Sequence, residues 1–220
     1  MNASIAYFSW RQLAAISLSI VAMVVCYVYI DLPVAVFFHP YQETPVTFVA
    51  RFFTKFGEAQ WYLVPSLFLG ALLWNIRRDL ASRALYVFTT VAVSGIAVTI
   101  LKPLFSRARP KLYFKEDTYG FYLGRVVEAY QSFPSGHATV FFSACAALAV
   151  LMPRWRAPLL VVAALFSTTR VVLQMHFVSD LIAGALLGIL CAYILDRHWK
   201  YPEHVPSAAR NAVDPQLQSA

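Results

Sequence analysis

Two histidines, an aspartate and several basic side chains fall in three short clusters of the sequence. The clusters are Lys102-Pro-Leu-Phe-Ser-Arg-Ala-Arg109-Pro110, Pro134-Ser-Gly-His137 and Arg170-Val-Val-Leu-Gln-Met-His176-Phe-Val-Ser-Asp180. Phosphoryl transfer needs positive charge around the phosphate oxygens, a nucleophile, and a proton donor for the leaving oxygen. Arginine and lysine can supply the charge, and two imidazoles can divide the other two tasks. The three clusters together therefore indicate chemistry on a phosphate group.

The third cluster contains a candidate nucleophile. If His176 opens a helix, Asp180 lies one turn later on the same face. A carboxylate there can accept a hydrogen bond from one imidazole nitrogen, which leaves the other nitrogen free as a base or nucleophile. Arg170 ends an apolar stretch, where a charge is costly near a bilayer unless it has a partner. The simpler alternative is that His176 and Asp180 only satisfy each other in the headgroup region.

The other two clusters form a candidate anion site. Ser135 can cap a helix, Gly136 lets the backbone approach a ligand, and free amides at a helix N-terminus attract anions. His137 then projects from the first turn into that site. Lys102 and Arg109 share one face and can bind phosphate oxygens. A plain helix cap and interfacial snorkelling are the simpler alternatives, but they leave His137 and Arg109 unexplained.

The composition predicts a membrane protein. Of the 220 residues, 60% are hydrophobic and 13% are charged, whereas a soluble domain carries about 25% charged residues. The chain contains six apolar stretches: Leu13–Ile30, Ala59–Ile76, Ala84–Leu101, Ala138–Met152, Ala157–Val172 and Val178–Leu195. Most approach the roughly 17–25 residues needed to cross a bilayer, and lipid allows them only as helices. The predicted fold is therefore all-α: a polytopic membrane protein with a six-transmembrane helix bundle.

The predicted domain organisation is one six-helix domain over residues 1–200 and a flexible cytoplasmic tail over residues 201–220. We expect the first stretch to be an uncleaved anchor, because it is longer than the apolar region of a usual signal peptide and no small-residue cleavage site follows it. The mixed segment Asp31–Glu58 fits either an amphipathic helix at the interface or an irregular loop on the bundle.

An even number of spans places both termini on one face of the membrane. The three clusters lie between spans three and four and between spans five and six, so they fall on the opposite face. The short links at Arg77-Arg78 and Arg154-Trp-Arg156 are both basic and lie on the terminal face. The positive-inside rule then places the termini in the cytoplasm and the clusters at the periplasmic or outer side. The formal net charge is +7, but the absence of any run of lysine or arginine argues against a nucleic-acid partner.

The three clusters resemble the signature of the type 2 phosphatidic acid phosphatase (PAP2) family. Its pattern is Lys-x6-Arg-Pro, then Pro-Ser-Gly-His, then Ser-Arg-x5-His-x3-Asp. In this sequence, Thr169 replaces the serine that precedes the arginine in the third part. The resemblance covers Lys102 to Asp180, and the six spans extend it over most of the chain. It implies an enzyme, a phosphoric monoester or diphosphate hydrolase that forms a phosphohistidine and uses no metal or other cofactor.

The resemblance implies a role for each matching residue. His176 would attack phosphorus, Asp180 would orient it, and His137 would protonate the leaving oxygen and later activate water. The residues that would hold the phosphate are Lys102, Arg109, Ser135, Gly136 and Arg170. No acidic cluster suggests a metal site. Four basic residues near the clusters match no motif position. They could add to the anionic site, but ordinary surface charge is the favoured interpretation: Arg107, Lys111, Lys115 and Arg125.

The resemblance also implies the class of substrate. Bacterial members of the family act on undecaprenyl pyrophosphate, phosphatidylglycerol phosphate, phosphatidic acid or lipid A phosphates, so we expect a phospholipid or isoprenoid phosphate in the bacterial inner membrane. Two alternatives stay open: a lipid phosphotransferase, and a non-catalytic lipid-binding or transport protein. The spacing Gly184-x-x-x-Gly188 predicts close helix packing within the bundle. The choice of lipid, monophosphate or pyrophosphate, and the oligomeric state are left open.

Overall fold

The computed structural model describes residues 9–202, and this part of the chain consists of helices and connecting loops without a β-strand. The α-helices are α1 (Trp10–Val25), α2 (Asp31–Phe38), α3 (Pro45–Thr54), α4 (Gln60–Leu73), α5 (Arg78–Phe105), α6 (Pro110–Glu116), α7 (Gly136–Leu151), α8 (Arg156–Val172) and α9 (Val178–His198). The all-α prediction is confirmed. Most of the predicted tail, residues 203–220, lies outside the described residues.

Several helices have the length and composition to cross a membrane, so the protein is a multi-pass membrane protein. Within residues 9–202 there are four such segments: Trp10–Tyr41, Arg78–Phe105, Pro153–Val172 and Val178–His198. Helix α7 is apolar but has 16 residues, and α4 has 14. At about 1.5 Å per residue, both are shorter than a hydrocarbon core of about 30 Å. The count of six spans therefore stays a prediction.

Helices α1 and α2 form one continuous helical segment, joined by a π-helical turn at Cys26–Ile30. The prediction that the first apolar stretch ends at Ile30 and a separate mixed segment begins at Asp31 was therefore wrong. Pro33 lacks an N–H, and its ring crowds the carbonyl of the residue four positions earlier, Tyr29. Tyr29 lies in the π-helical turn, so the helix departs from regular α geometry directly before Pro33. Because the helix continues, Asp31 becomes buried inside the bundle.

The mixed segment after α2 contains an amphipathic helix, α3. Phe48 and Phe52 are 75% and 57% exposed, whereas Thr47 and Ala50 are buried. Apolar side chains thus cover the outer face of α3 while its small side chains face the bundle. Of the two alternatives left open for this segment, the structure has the amphipathic helix. Its location at a membrane interface stays a prediction.

Helices α7 and α9 approach each other closely enough for backbone contact. A Cβ added to Gly184 would lie 2.5 Å from the Ser135 carbonyl oxygen, and one added to Gly188 would lie 2.6 Å from the Thr139 carbonyl oxygen. Only glycine therefore fits at either position in this packing. This confirms the predicted use of the Gly-x-x-x-Gly spacing within the bundle.

The same packing brings the clusters to one end of the bundle. The N–H of Ser135, before α7, donates to the carbonyl of Asp180, in the first turn of α9, at 3.1 Å. At the other end of the bundle, Trp199 Nε1 donates to Ser82 Oγ at 3.0 Å. The start of α7 and the start of α9 therefore meet at the end where α5 and α8 finish.

Candidate active site

His176 is a buried side chain in the turn between α8 and α9, with 2% of its surface exposed. The turn bends at Gln174, whose φ of +55° lies in the left-handed region. The N–H groups of Met175 and His176 then both donate to the Arg170 carbonyl, at 3.0 and 3.3 Å. This turn carries the imidazole back into the bundle directly before α9 begins.

The main chain of Ser132 fixes the orientation of the imidazole. His176 Nδ1 lies 2.7 Å from the Ser132 carbonyl oxygen. A carbonyl oxygen can only accept, so Nδ1 carries the hydrogen and Nε2 keeps its lone pair. Burial lowers the pKa of His176 to about 4, so the ring is neutral near pH 7. Nε2 is therefore available as a nucleophile.

Asp180 acts on His176 less directly than the sequence predicted. Its Oδ2 lies 3.7 Å from His176 Nδ1, which is longer than a hydrogen bond. The same oxygen accepts from Ser132 Oγ at 2.5 Å and from the N–H of Phe177 at 2.8 Å. The reason is that α9 begins only after His176, so the two side chains do not share a helix face. Asp180 holds Ser132, and Ser132 in turn holds His176.

The second cluster forms the start of α7, as predicted. Ser135 Oγ accepts a long hydrogen bond, 3.4 Å, from the N–H of Ala138. A Cβ on Gly136 would lie 3.8 Å from Lys102 Nζ, so the lysine ammonium stands over the first residue of the helix. His137 follows in the first turn. The charged or titratable groups that face it are Arg170, His176, Lys102 and Arg109.

Two guanidinium groups complete this cationic site. Arg170 Nη1 donates to Thr54 Oγ1 at 3.0 Å, and Arg109 Nη1 donates to the carboxylate of Glu128 at 3.0 Å. The Glu128 side chain is 82% exposed. The Nε atoms of Arg109 and Arg170 are both buried without a hydrogen-bond partner. Because buried donors without partners are unfavourable, both groups are suited to accept an anion such as phosphate.

Arg107 is buried, and the prediction of a surface charge there was wrong. Its guanidinium is 0% exposed, with Nη1 at 2.6 Å from Asp180 Oδ1 and Nη2 at 2.7 Å from Asp31 Oδ2. The rings around it are Tyr27, Tyr119, Phe121 and Phe177, the last at 4.4 Å from Cζ. The other three residues assigned to the surface, Lys111, Lys115 and Arg125, are exposed. Sequence reasoning missed Arg107 and Asp31 because neither occupies a motif position.

Gly57 is a further residue that sequence reasoning missed. It ends a short 3₁₀ turn, Lys55–Gly57, before α4. A Cβ on Gly57 would lie 2.5 Å from His137 Cδ2 and 2.8 Å from Phe141 Cε2. A hydrogen at this position therefore gives the His137 ring its space. No sequence signal marks this contact, because the glycine lies in a different segment from every motif.

Five side chains from five helix ends thus meet around one space, with Asp180 behind His176: Lys102, Arg109, His137, Arg170 and His176. Across residues 9–202, no group of three or more His, Cys, Asp and Glu side chains is placed to hold a metal ion. The positive charge at the site is that of one lysine and two arginines. This arrangement can hold a phosphate between a neutral imidazole nucleophile and a second imidazole.

Comparison with known proteins identifies the family. Residues 83–201 match the PAP2 superfamily. The chain is also 30% identical over 190 residues to lipid A 1-phosphatases of Rhizobium johnstonii and Rhizobium etli, an alignment that covers 81% of this chain and 77% and 81% of those proteins. The protein belongs to the PAP2 superfamily. The resemblance inferred from the three clusters is therefore confirmed.

Two solved PAP2 structures share the fold. The crystal structure of Aquifex aeolicus LpxE aligns with a TM-score of 0.58 and 22% identity, over 76% of this chain and 94% of that one. A PAP2-type phosphatidylglycerolphosphate phosphatase from Bacillus subtilis aligns with a TM-score of 0.61 and 19% identity, over 86% of this chain and 97% of that one. The helical arrangement is that of a PAP2 membrane protein.

Proposed function

We propose that this PAP2 protein is a metal-independent lipid phosphatase that works through a phosphohistidine on His176. One observation carries the proposal: the Ser132 carbonyl holds Nδ1–H, which leaves the lone pair of Nε2 free. Arg170 and Lys102 are cations that act on the same imidazole. A neutral nucleophile beside fixed positive charge is what attack on an anionic phosphorus requires.

In the first half of the reaction, the Nε2 lone pair forms a bond to phosphorus. The bond between phosphorus and the leaving oxygen breaks, and its electron pair stays on that oxygen. Burial and the cations that face it lower the pKa of His137 to about 3, and the negative charge of a bound phosphate opposes that shift, so His137 takes up a proton together with the substrate. It donates this proton to the leaving oxygen, so the lipid of a monophosphate substrate leaves as an alcohol. Lys102, Arg109 and Arg170 stabilise the charge on the remaining phosphate oxygens, together with the start of α7 at Ser135 and Gly136.

In the second half, water attacks the phosphohistidine. His137, now neutral, accepts a proton from the water as its oxygen bonds to phosphorus. The nitrogen–phosphorus bond breaks, its electron pair returns to Nε2, and inorganic phosphate leaves. Asp180 keeps its place through both halves, because its role is to hold Ser132 and, through Ser132, the ring of His176.

For the substrate, we propose a phospholipid or isoprenoid phosphate drawn from the bilayer. Two observations support a lipid. The chain is a multi-pass membrane protein with the site at the ends of its helices, and its relatives are named as lipid A 1-phosphatases. A lipid A carrying a 1-phosphate is therefore the first substrate to test.

We also propose a location in the bacterial inner membrane, with the site at the periplasmic side and the termini in the cytoplasm. The arginines of the two short links lie at the end of the bundle opposite the site: Arg77, Arg78, Arg154 and Arg156. The positive-inside rule places such short basic links on the cytoplasmic side of the membrane, and the site then lies on the periplasmic side. In a variant without native cysteines, Lys115→Cys should react with an impermeant maleimide on intact spheroplasts, and Arg154→Cys only after permeabilisation. The reverse pattern would overturn this orientation.

The proposed activity can be tested by phosphate release in EDTA from detergent-solubilised lipids. The panel is lipid A 1-phosphate, phosphatidylglycerol phosphate, phosphatidic acid and undecaprenyl pyrophosphate. We expect release by the wild type and a loss of about 10⁴-fold or more in His176→Ala. The matched control is His198→Ala, an exposed histidine at the far end of α9, which should keep full activity.

Four other results would contradict the proposal. Release that survives His176→Ala, or that EDTA abolishes, would exclude the metal-free histidine mechanism. A newly phosphorylated lipid in place of inorganic phosphate would identify a phosphotransferase. No turnover of any lipid by the wild type would favour a non-catalytic lipid-binding or transport protein.

A further inference from the structure

Three buried charges lie directly behind His176, and the proposed reaction steps use only one of them. Arg107, Asp31 and Asp180 each have 0–1% of their surface exposed. The Nε of Arg107 lacks a hydrogen-bond partner and lies among aromatic rings. Such a set is weak evidence for a role in stability, because buried ion pairs can often be replaced by apolar side chains without loss. Its position behind the nucleophile suggests a different purpose.

Arg107 determines which oxygen of Asp180 is available. Nη1 takes Oδ1 at 2.6 Å and also donates to Ser179 Oγ at 2.6 Å. This leaves Oδ2 for Ser132 Oγ. The carboxylate therefore cannot rotate without losing contacts on both sides. The Ser132 carbonyl, which receives Nδ1–H of His176, is held in place by this arrangement.

Asp31 fixes the other half of the guanidinium. It reaches Arg107 Nη2 at 2.7 Å from helix α2. It also accepts from the N–H of Ser179 at 3.0 Å and from the Ser179 hydroxyl, in the first turn of α9. One carboxylate thus ties α2 to the start of α9 and to the loop that follows α5. The first membrane segment is connected in this way to the support of the nucleophile.

The charges of this set also suit the reaction. One guanidinium and two carboxylates leave a net charge of −1. When Nε2 bonds to phosphorus, Nδ1 keeps its hydrogen and the imidazole ring becomes cationic. A buried negative charge behind the ring stabilises that cation. Without Arg107, the two carboxylates would face each other unpaired, and Asp180 would have to move or take a proton.

We infer that Arg107 is a positioning residue for the nucleophile, and that Asp31 anchors it. Arg107 donates to Asp180, Asp31, Ser179 and Tyr119 and not to the imidazole. It acts on His176 through Asp180 and Ser132. The inference rests on the proposed function, since it concerns the nucleophile of that reaction. It predicts that changes at Arg107 slow the formation of phosphohistidine without weakening the binding of phosphate.

The test compares four variants in single-turnover assays with enzyme in excess of lipid. The rate constant is then insensitive to a fraction of misfolded enzyme, which a merely structural role would produce. We expect Arg107→Gln to lower it about 10- to 100-fold. Arg107→Lys should recover part of the loss, because lysine keeps the positive charge but cannot bind two carboxylates through separate nitrogens as the guanidinium does. Asp31→Asn should lose about tenfold.

The matched control is Arg125→Gln, in the next loop, between α6 and α7. Arg125 is exposed and stacks on Tyr130 at 4.7 Å, so its loss should leave the rate constant unchanged. Inhibition by inorganic phosphate should match that of the wild type in all four variants.

Each contrary result has a distinct meaning. A rate constant for Arg107→Gln equal to that of Arg125→Gln would overturn the inference. So would a loss of phosphate inhibition, because it would place Arg107 in the phosphate site. If Arg107→Gln does not fold, Asp31→Asn decides, and a wild-type rate constant there would overturn the inference. Failure of the wild type to turn over any lipid would instead remove the proposed function.

Discussion

The two sides of the His176 imidazole carry charge in opposite arrangements. Behind the ring, Arg107 is paired with two buried carboxylates, at 2.6 and 2.7 Å. In front of it, among the residues that the structure describes, no carboxylate lies within 4 Å of the Arg170 or Lys102 side-chain nitrogens. The guanidinium of Arg109 has one such partner, Glu128, which is exposed.

This difference separates groups that hold the protein from groups that hold a ligand. A buried cation with built-in partners stays where the fold places it, because any movement leaves a charge unpaired. A cation without a built-in partner is balanced by what binds to it. We therefore call Arg107, Asp31, Asp180, Ser132 and Ser179 the support side, and Lys102, Arg109 and Arg170 the phosphate side. Changes on the support side should lower rate, and changes on the phosphate side should also lower binding.

The largest expected effect is on the support side, at Asp180. Asp180→Asn keeps the shape but removes the charge and places an amide against Ser132 or Arg107. We expect kcat to fall about 10³-fold or more, by analogy with other groups that orient a catalytic histidine, while inhibition by inorganic phosphate stays the same. The measurement is initial phosphate release. Asp196→Asn, near the other end of α9, is the control and should be active. Weaker inhibition by phosphate in Asp180→Asn would contradict the separation of the support side from the phosphate side.

Arg170 tests the phosphate side. Arg170→Gln removes a guanidinium that has no carboxylate partner, so we expect kcat to fall about 10²- to 10³-fold. Unlike the support-side variants, it should also weaken inhibition by inorganic phosphate at least about tenfold. Arg156→Gln, an exposed arginine at the other end of α8, serves as the control. Unchanged phosphate inhibition in Arg170→Gln would show that Arg170 belongs with the support side.

Gly57 tests whether the activity depends on the exact position of the His137 ring, which packs against this glycine. Gly57→Ala would place a methyl group 2.5 Å from His137 Cδ2 and displace the ring. A displacement of about 1 Å can lower a rate by about 10²-fold, so we expect a loss of about 10- to 100-fold in kcat. Gly95→Ala is a sharp control, because a Cβ there meets nothing within 4 Å. Equal activity of the two variants would mean that His137 can shift without consequence.

The smallest expected effect is the response to mild acid. His176 must be neutral to attack, so activity is present above its pKa and lost below it. Burial lowers that pKa to about 4, whereas an ordinary histidine titrates near 6.5. Between pH 7 and pH 5, kcat/KM should therefore fall less than about twofold on account of this group. A loss of about 30-fold over that range would indicate an imidazole that is not buried as the structure has it.

Much of the phosphate side could be predicted from the sequence. The spacing within three short clusters indicates a phosphate site without knowledge of the fold. These clusters contain Lys102, Arg109, Arg170 and both histidines. Each cluster sits at the end of an apolar stretch, and such ends meet at one face when the number of crossings is fixed. The cap at Ser135 and the close packing at Gly184 follow from local rules that need no knowledge of distant residues.

The support side could not be predicted in the same way. Asp31 and Arg107 are 76 residues apart and meet only because α1 continues through its π turn into α2. By composition, Asp31 marks the end of an apolar stretch, and Arg107 is one basic residue among several in a polar segment. The Ser132 carbonyl that orients His176 is main chain, so no residue type could reveal it. Pairings of this kind depend on tertiary contacts alone.

The most direct test of the account is the chemical identity of the intermediate. Wild type and His176→Ala would be mixed with lipid carrying a ³²P-labelled phosphate, quenched in alkali within milliseconds, and digested for peptide mapping. We predict label on the peptide that contains His176, stable in alkali and released by acid as a phosphoramidate is, and no label in the variant. Label on another residue, or rapid phosphate release with no labelled protein, would contradict the assignment of His176 as the nucleophile.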